Sequence, residues 1–405
     1  MTVKEPEITI DKQEKSFFVP GFKAGGIACG VKKGRTRDLA LIVSETPASV
    51  AGVFTQNRVK AAPLLLSMER IGGERCDAVI INSGNANACT GRRGMRDAKR
   101  MAESAAKALR CDPAHVLVAS TGVIGEPLPV ERITDGTPRL AARVRPTGWR
   151  EAAEAIMTTD TFPKLACKEG KVGGVPVRLL GVAKGSGMIA PDMATMLAFI
   201  VTDAAIGSRP LQSVLHRAVQ HTFNRITVDG ETSTNDMVLL LANGAAGAMK
   251  VDDAALRAFA VMVEGLCEEL ASLIVRDGEG ATKVVTIRVK GAKTEKDAEK
   301  AGKRIANSLL VKTAFFGEDV NWGRIMSALG SAGVEMDPER VALSLDGVPL
   351  VRAGKATGKE SEAARVIKRD EMKLTVDLKA GKGEATVQTT DLTYDYVKIN
   401  ASYRS

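Results

Sequence analysis

Short apolar runs separated by glycine-bearing turns occupy the first third of the chain, from about residue 17 to residue 123. Strands joined by tight turns give this pattern, and the runs are predicted as strands over residues 39–43, 64–66, 79–81 and 116–118. Between the last two runs, apolar residues recur at helical spacing over residues 96–109. This region therefore predicts a β-α-β-like unit.

Helical patterns follow in the middle of the chain. Residues 135–150 carry Pro138 and Pro146 among several arginines, and are predicted as an exposed connection before a helix that begins near Trp149. Periodic apolar residues predict further helices from residue 208, over 253–275, over 295–310 and over 320–329.

A β-rich pattern returns towards the C-terminus. A strand is predicted from Val284, and Leu374, Val376 and Leu378 alternate before a predicted hairpin turn at residues 380–383. Strands and helices are thus mixed along the whole chain, which predicts an α/β fold. We predict that residues 285–405 form a semi-separate, smaller C-terminal α/β unit.

Size and charge narrow the classes of protein. A chain of 405 residues exceeds the size at which a single core usually stops growing, so two or three packed units are expected. The formal net charge of +9 would suit nucleic acid, but Lys and Arg are scattered among Asp and Glu. We therefore expect no nucleic-acid partner, and a surface that favours small anionic substrates.

The composition gives no sign of a metal site or a membrane segment. The six cysteines form no C-x-x-C pair, and His115, His216 and His221 match no metal or Ser-His-Asp spacing. The N-terminal residues resemble no signal peptide, and no apolar run reaches the roughly 18 residues of a spanning helix. We expect a cytoplasmic protein that binds no metal and no membrane.

Residues 179–203 carry the strongest candidate chemistry. A strand leads into a Gly-Ser-Gly loop, and the apolar run 197–201 predicts a buried strand directly after Thr195. A threonine at such a position suits self-cleavage after Ala194, which would free its α-amine. An α-amine has a pKa of about 7.7 to 8.0, so it can act as a general base for the threonine hydroxyl.

Other interpretations of these residues stay open on spacing alone. Thr195 is also an ordinary residue for the start of a strand. Gly185 and Gly187 match part of a dinucleotide-binding motif, although that motif requires a helix where Pro191 interrupts. Thr121 and Gly122, directly after a predicted strand, could form an oxyanion hole or only a turn.

Several motifs together resemble the ornithine acetyltransferase family, the glutamate N-acetyltransferases of the arginine pathway. The resemblance spans nearly the whole chain and rests on the Ala-Thr-Met-Leu segment at residues 194–197 and on residues 82–91, 120–125, 155–161, 277–283, 321–324 and 400–405. It implies cleavage between Ala194 and Thr195, Thr195 as the nucleophile, and Thr121 and Gly122 as oxyanion donors. It also implies a substrate site lined by Thr158, Lys184, Thr195, Glu279, Asn400 and Ser405.

The resemblance implies a ping-pong reaction in which acetyl passes from Nα-acetylornithine to Thr195 and then to glutamate, without cofactor or metal. Whether acetyl-CoA is a second donor stays open. The implied fold is a layered α-β-β-α sandwich, like that of N-terminal-nucleophile enzymes but with its own connectivity. Residues 1–194 and 195–405 would be the two cleaved chains of an α2β2 heterotetramer.

Two rival functions remain. A self-processing aminopeptidase or amidase would use the same nucleophile but pass the acyl group to water. A dinucleotide-binding oxidoreductase would use Gly185 and Gly187 instead. The arginine-rich residues 139–150 have no place in the family pattern, and their role is not assigned.

Overall fold

The computed structural model describes residues 17–190 and 196–402. The predicted cleavage site, Ala194 and Thr195, lies outside the described residues, as does Ser405. Within the described residues, no helix has the length and the apolar character that a membrane span requires.

The first sheet has eight strands from the first three-fifths of the chain. In chain order they are β1 (Phe22–Ile27), β2 (Leu39–Phe54), β3 (Arg75–Asn85), β4 (Val116–Val123), β5 (Lys164–Val172), β6 (Val175–Lys184), β7 (Leu197–Thr202) and, after the short β8 (Ile226–Thr227) of a second sheet, β9 (Met237–Ala242). Their order across the sheet is β4-β3-β2-β9-β7-β6-β5, with β1 on β2. The β3–β4 and β7–β9 pairs are parallel, and the other pairs are antiparallel.

The long strand β2 divides this sheet into two layers. Its first part pairs with β1 and β3, the pairing with β3 shifts register between Val43 and Ala48, and its last part pairs with β9. A register shift of this kind bends a strand and increases its twist. One continuous sheet therefore supplies two facing layers, β1 to β4 on one side and β5, β6, β7 and β9 on the other.

Helices cover the outside of both layers. They are α1 (Ala62–Arg70), α2 (Gly91–Leu109), α3 (Val130–Ala141), α5 (Ser208–His221) and α6 (Asp253–Arg276), whereas α4 (Trp149–Ile156) packs between the layers. Residues of α2 and α3 share a core with Leu41, Ile80 and Val118 of one layer, and residues of α5 and α6 share a core with Ile200 and Leu240 of the other.

A third core lies between the two layers. It contains Ile81 and Leu117 from one layer, Val182 and Phe199 from the other, and Trp149 of α4. Strands β7 and β9 are buried along their whole length because they are covered on both faces. The predicted α-β-β-α sandwich is therefore confirmed.

A second sheet of seven strands forms in the C-terminal part of the chain. It contains β8, β10 (Val284–Ala292), β11 (Ala342–Leu345), β12 (Val348–Arg352), β13 (Lys355–Ala356), β14 (Glu371–Asp377) and β15 (Gly383–Thr390). Its helices are α7 (Glu295–Ala306), α8 (Leu309–Phe316), α9 (Trp322–Gly330), the short α10 (Glu360–Ala363) and α11 (Tyr394–Ser402). Buried residues between 285 and 387 form a core of their own. A domain boundary at residue 285 stays a prediction.

Two of the predicted β features are wrong. Residues 64–66 lie in helix α1, where Leu64 and Leu66 are buried and Leu65 is exposed; Pro63 favours a helix start, and so short an apolar run suits either structure. The turn at residues 380–383 does not close a hairpin, because β14 and β15 both pair with β10, which lies between them. Strand alternation does not reveal which strand is the partner.

Two predicted helix boundaries also change. The helix predicted over residues 295–310 is broken into α7 and α8 at Asn307 and Ser308. Helix α3 continues through Pro138 to Ala141, so the connection shortens to residues 142–148. Pro138 cannot donate to the carbonyl of Thr134, and the hydroxyl of Ser104 donates to that carbonyl instead, at 3.3 Å.

We expect the core between the two layers to dominate the stability of the sandwich. Phe199→Ala removes a fully buried ring from β7 and should lower the free energy of unfolding by about 3 to 5 kcal/mol. Denaturant titration measures the change. Val261→Ala, on the outer face of α6 where the side chain is 72% exposed, is the control and should change it by less than about 0.5 kcal/mol. Equal effects would contradict the assigned packing.

Candidate active site

A cleft opens where the core between the two layers ends. Six residues predicted from the sequence line this one cleft, although they are distant along the chain: Thr121, Gly122, Thr158, Lys184, Glu279 and Asn400. The structure therefore brings together every predicted site residue that it describes. The remaining three, Ala194, Thr195 and Ser405, lie outside the described residues.

The contact between Lys184 and Thr121 joins the two layers at the cleft. Lys184 is the last residue of β6 and follows Leu180 and Val182 on the inner face of its layer. Thr121 lies near the end of β4 and follows Leu117 and Ala119 on the opposite inner face. The ammonium Nζ of Lys184 lies 3.3 Å from the hydroxyl Oγ1 of Thr121, and both residues are buried.

Burial lowers the pKa of Lys184 below the ordinary lysine value, and the nearby charge of Lys164 lowers it further. Three carboxylates, those of Asp160, Asp236 and Glu279, act in the opposite direction. When it is protonated, Lys184 is a weakly solvated cation at the edge of the cleft, suited to bind a small carboxylate.

Gly122 allows the ends of two parallel strands to approach closely. It pairs with Gly84 of β3 and has a φ of +127°. A Cβ at position 122 would lie 2.6 Å from the amide nitrogen of Asn85 and still closer to the carbonyl carbon of Gly84. Only glycine adopts this positive φ readily and has no Cβ to overlap the neighbouring strand.

A buried amide fixes the same strand end from the other layer. The side-chain nitrogen of Asn235 donates to the carbonyl of Ser120 at 2.8 Å and to that of Ala86 at 2.7 Å. The hydroxyl of Ser120 in turn donates to Asn82 at 2.5 Å. Asn235 lines the cleft, and sequence analysis missed it because no local pattern marks its distant partners.

Thr158 is held by a carboxylate that sequence analysis did not single out. Asp160 accepts hydrogen bonds from the backbone nitrogen of Thr158 at 2.9 Å and from that of Gly185 at 2.7 Å. Burial raises the pKa of Asp160, but Lys184, Lys164 and these hydrogen bonds together hold it well below its usual range. Asp160 is therefore ionised and acts as a counter-ion of Lys184.

Glu279 and Asn400 form a second polar group in the cleft. The amide nitrogen of Asn400, on helix α11, donates to Glu279 Oε2 at 2.8 Å. The backbone nitrogen of Glu279 donates to the carbonyl of Ser186 at 3.0 Å. A Cβ at Gly187 would overlap the Glu279 carboxylate, so the glycine at this position leaves room for that carboxylate.

The Gly185-x-Gly187 segment does not have the geometry of a dinucleotide-binding motif. It follows β6, but residues 185–190 form no helix, and the next described strand, β7, runs antiparallel to β6. Asp229 holds this segment by accepting hydrogen bonds from the backbone nitrogens of Met188 at 2.6 Å and Ile189 at 2.9 Å. Over residues 17–190 and 196–402, no three His, Cys, Asp or Glu side chains gather into a metal-binding group.

The four-layer fold and the cleft define the class of protein as an enzyme that acts on a small molecule. The buried side chains of Lys184 and Glu279 both line the cleft. Beside them, Gly122 brings the ends of β3 and β4 into close contact. A site of this kind binds a small charged substrate through a few well-placed polar groups, and the surrounding fold excludes water from it.

Comparison with known proteins identifies the family. The model of the ArgJ family matches residues 23–405. The arginine biosynthesis bifunctional protein ArgJ of Geobacter sulfurreducens is 52% identical over 391 residues, which cover 96% of this chain and 100% of that protein. The chain therefore belongs to the ArgJ family, and it is an acetyltransferase of arginine biosynthesis.

Two solved structures are also similar. The ArgJ chain of Bacillus halodurans has 42% identity and a TM-score of 0.50, and the match covers 52% of this chain and 100% of that chain. The ornithine acetyltransferase of Mycobacterium tuberculosis, solved in complex with ornithine, has 39% identity and a TM-score of 0.39, and the match covers 44% of this chain and 94% of that chain.

The close contact at Gly122 can be tested against a matched glycine. Gly122→Ala should lower the free energy of unfolding by about 1 to 3 kcal/mol more than Gly125→Ala, because a side chain at position 122 overlaps the backbone of β3. Gly125 also has a positive φ, of +83°, but a Cβ there meets nothing within 4 Å. Denaturant titration of both variants measures the difference, and equal losses would rule out the steric explanation.

Proposed function

We propose that the chain is a self-cleaving glutamate N-acetyltransferase that moves acetyl from Nα-acetylornithine to glutamate through an acetyl-Thr195 intermediate. The observation that carries the proposal is that one cleft is lined by all five of these residues: Thr121, Gly122, Lys184, Glu279 and Asn400. Membership of the ArgJ family supports the same function.

The described residues that follow Thr195 lie beside the cleft, which supports Thr195 as the nucleophile. Met196 is buried, and its carbonyl accepts a hydrogen bond from the backbone nitrogen of Met237 at 3.1 Å. Leu197 then pairs with Lys184, which lines the cleft.

The first half of the reaction forms an ester. The hydroxyl oxygen of Thr195 attacks the acetyl carbonyl carbon of acetylornithine, and the free α-amine of Thr195 takes the hydroxyl proton. Thr121 and Gly122 stabilise the negative charge on the carbonyl oxygen of the tetrahedral intermediate. The C–N bond then breaks, and the proton passes from the α-amine to the leaving nitrogen, so that ornithine departs.

The second half regenerates the enzyme. Glutamate enters the same cleft, its amine attacks the acetyl ester, and the α-amine of Thr195 takes the proton of the attacking nitrogen. Breaking the ester C–O bond returns that proton to the threonine oxygen and releases N-acetylglutamate. One amide is exchanged for another, so the reaction consumes no nucleotide and transfers no electrons.

The charged residues of the cleft supply the substrate contacts. Both substrates carry an α-carboxylate, and we assign its binding to Lys184, the buried cation of the cleft. The Glu279 carboxylate, oriented by Asn400, would hold the side-chain ammonium of ornithine. Thr158 and Ser405 complete the proposed substrate site.

We also propose the cytoplasm as its location and an α2β2 assembly of the two cleaved chains. The name of the Geobacter relative describes it as bifunctional, which supports acetyl-CoA as a second acetyl donor.

The arginines of residues 139–150 have structural contacts: Arg139 donates to the carbonyl of Ala28 at 2.8 Å, and Arg145 forms a backbone bridge with Ala24.

Self-cleavage can be tested directly by mass. Purified wild-type protein should give two fragments under denaturing conditions, the second beginning Thr-Met-Leu-Ala, whereas Thr195→Ala should remain one chain and transfer no acetyl. Intact mass and N-terminal sequencing make the measurement. An uncut wild-type chain that is fully active would contradict the proposed nucleophile. Release of free acetate at the rate of ornithine release, in the presence of glutamate, would instead identify a hydrolase.

Lys184→Met tests carboxylate binding. Losing a charge-assisted hydrogen bond costs about 1.5 to 3 kcal/mol, so KM for acetylornithine should rise roughly 10- to 100-fold. Only protonated Lys184 binds a carboxylate. Wild-type kcat/KM should therefore fall as the pH rises through the lowered pKa of Lys184, and this decrease should be absent from the variant. Lys168→Met, which removes an exposed lysine of β5, is the control and should keep wild-type kinetics. An unchanged KM in Lys184→Met would remove the assignment.

A further inference from the structure

A fully buried lysine lies between two carboxylates behind the cleft. The Nζ of Lys164 is 2.7 Å from Asp160 Oδ1 and 2.5 Å from Asp277 Oδ2, and the Lys164 side chain has no exposed surface. Removing three charges from water is costly, and a buried ion pair often stabilises a protein no better than apolar residues of the same volume. Stability alone therefore does not account for this group.

One carboxylate of the group fixes the residues around Lys184. Asp160 accepts from the backbone nitrogen of Thr158 on one side and from that of Gly185 on the other. Gly185 directly follows Lys184, so Asp160 links the turn after Lys184 to the loop that carries Thr158. Lys164 holds Asp160 in the position that makes both bonds.

The other carboxylate fixes the segment that carries Glu279. Asp277 directly follows helix α6 and lies two residues before Glu279. It accepts hydrogen bonds from the backbone nitrogen of Thr161, at 3.0 Å to Oδ2, and from the Thr161 hydroxyl. Through Asp277, Lys164 thus connects the Thr158–Thr161 loop to the start of the Glu279 segment.

The group also connects the two proposed cleavage products. Asp160 and Lys164 precede residue 194, whereas Asp277 follows residue 195. The two charged residues assigned to the substrate, Lys184 and Glu279, are divided between the products in the same way. Their spacing across the cleft therefore depends on contacts that cross from one product to the other.

We propose that Lys164 is a positioning residue for acetyl transfer: it touches no substrate, and through Asp160 and Asp277 it sets the spacing between Lys184 and Glu279. The proposal rests on the function proposed above, in which Lys184 and Glu279 bind opposite ends of acetylornithine. A substrate misplaced by about 1 Å can lose on the order of 100-fold in rate, so a residue remote from the substrate can have a large effect.

The charges of the group predict the direction in which each substitution shifts the pH dependence of carboxylate binding. Asp160 raises the pKa of Lys184, and Lys164 lowers it; Asp236 and Glu279 also raise it. Lys32, whose pKa burial lowers to about 8, also lies within electrostatic reach of Lys184. Neutralising Asp160 therefore moves the loss of carboxylate binding to lower pH, and neutralising Lys164 moves it to higher pH.

The experiment compares two variants in the acetylornithine-to-glutamate exchange assay across pH. The first is Asp160→Asn. The second is the double variant Lys164→Met with Asp277→Asn, which removes Lys164 and one of its two carboxylate partners. Asp160 keeps the hydrogen bonds that it accepts from the backbone nitrogens of Thr158 and Gly185, and the nearby charge of Lys184. Both should fold and cleave themselves, and both should lose on the order of 100-fold in kcat/KM. The decrease of kcat/KM at alkaline pH should occur at lower pH in Asp160→Asn and at higher pH in the double variant.

Asp203→Asn is the matched control. Asp203 is a buried carboxylate that accepts a backbone hydrogen bond, from Arg178 at 2.8 Å, just after β7 ends and away from the cleft. Its kinetics and its pH profile should stay like those of the wild type. Folded, self-cleaved variants at Asp160 and Lys164 with the wild-type profile would overturn the inference. Failure of the proposed function is distinguishable, because it appears as absent transfer by the wild type.

Discussion

The contact of Lys184 with Thr121 depends on the register of two strands. Strand β6 pairs with β7 so that Lys184 lies opposite Leu197, and the alternation of the strand directs Lys184 to the inner face with Leu180 and Val182. A slip of one residue would turn the lysine towards the outer helices. The register therefore decides whether a buried cation reaches the cleft, and the same pairing places the chain after residue 195 beside it.

The bend in β2 supplies the other side of this contact. Because one strand belongs to both layers, the end of β4 faces the end of β6 across a continuous apolar core. The core ends at the cleft, so polar groups placed there are shielded from water on one side and accessible to a substrate on the other. Electrostatic interactions are stronger in such a setting than in water.

Buried charge near the cleft is balanced by hydrogen bonds and opposite charge. Lys164 and Lys184 are surrounded by Asp160, Asp277 and Glu279, and the carboxylates also accept hydrogen bonds from backbone or side-chain nitrogens. This arrangement offsets the cost of taking the charges out of water. It also makes the two sides of the cleft depend on each other, because each lysine changes the electrostatic environment of the other. The chemistry of the cleft is therefore a property of the group rather than of one residue.

The sequence by itself determined most helices and strands, the mixed α/β class and the family, because apolar periodicity and motifs such as residues 194–197 are local signals. Through the family resemblance it also predicted Thr121, Gly122, Lys184 and Glu279 as site residues, and the structure places all four in one cleft. Only the tertiary structure decided that β10 lies between β14 and β15, and that Asp160, Lys164, Asp277 and Asn235 lie in or next to the cleft. Asn235 and Lys164 have partners more than a hundred residues away, Asp160 bonds to Gly185 at a distance of 25 residues, and the place of β10 depends on competition between strands. None of these outcomes leaves a periodic pattern near the residue concerned.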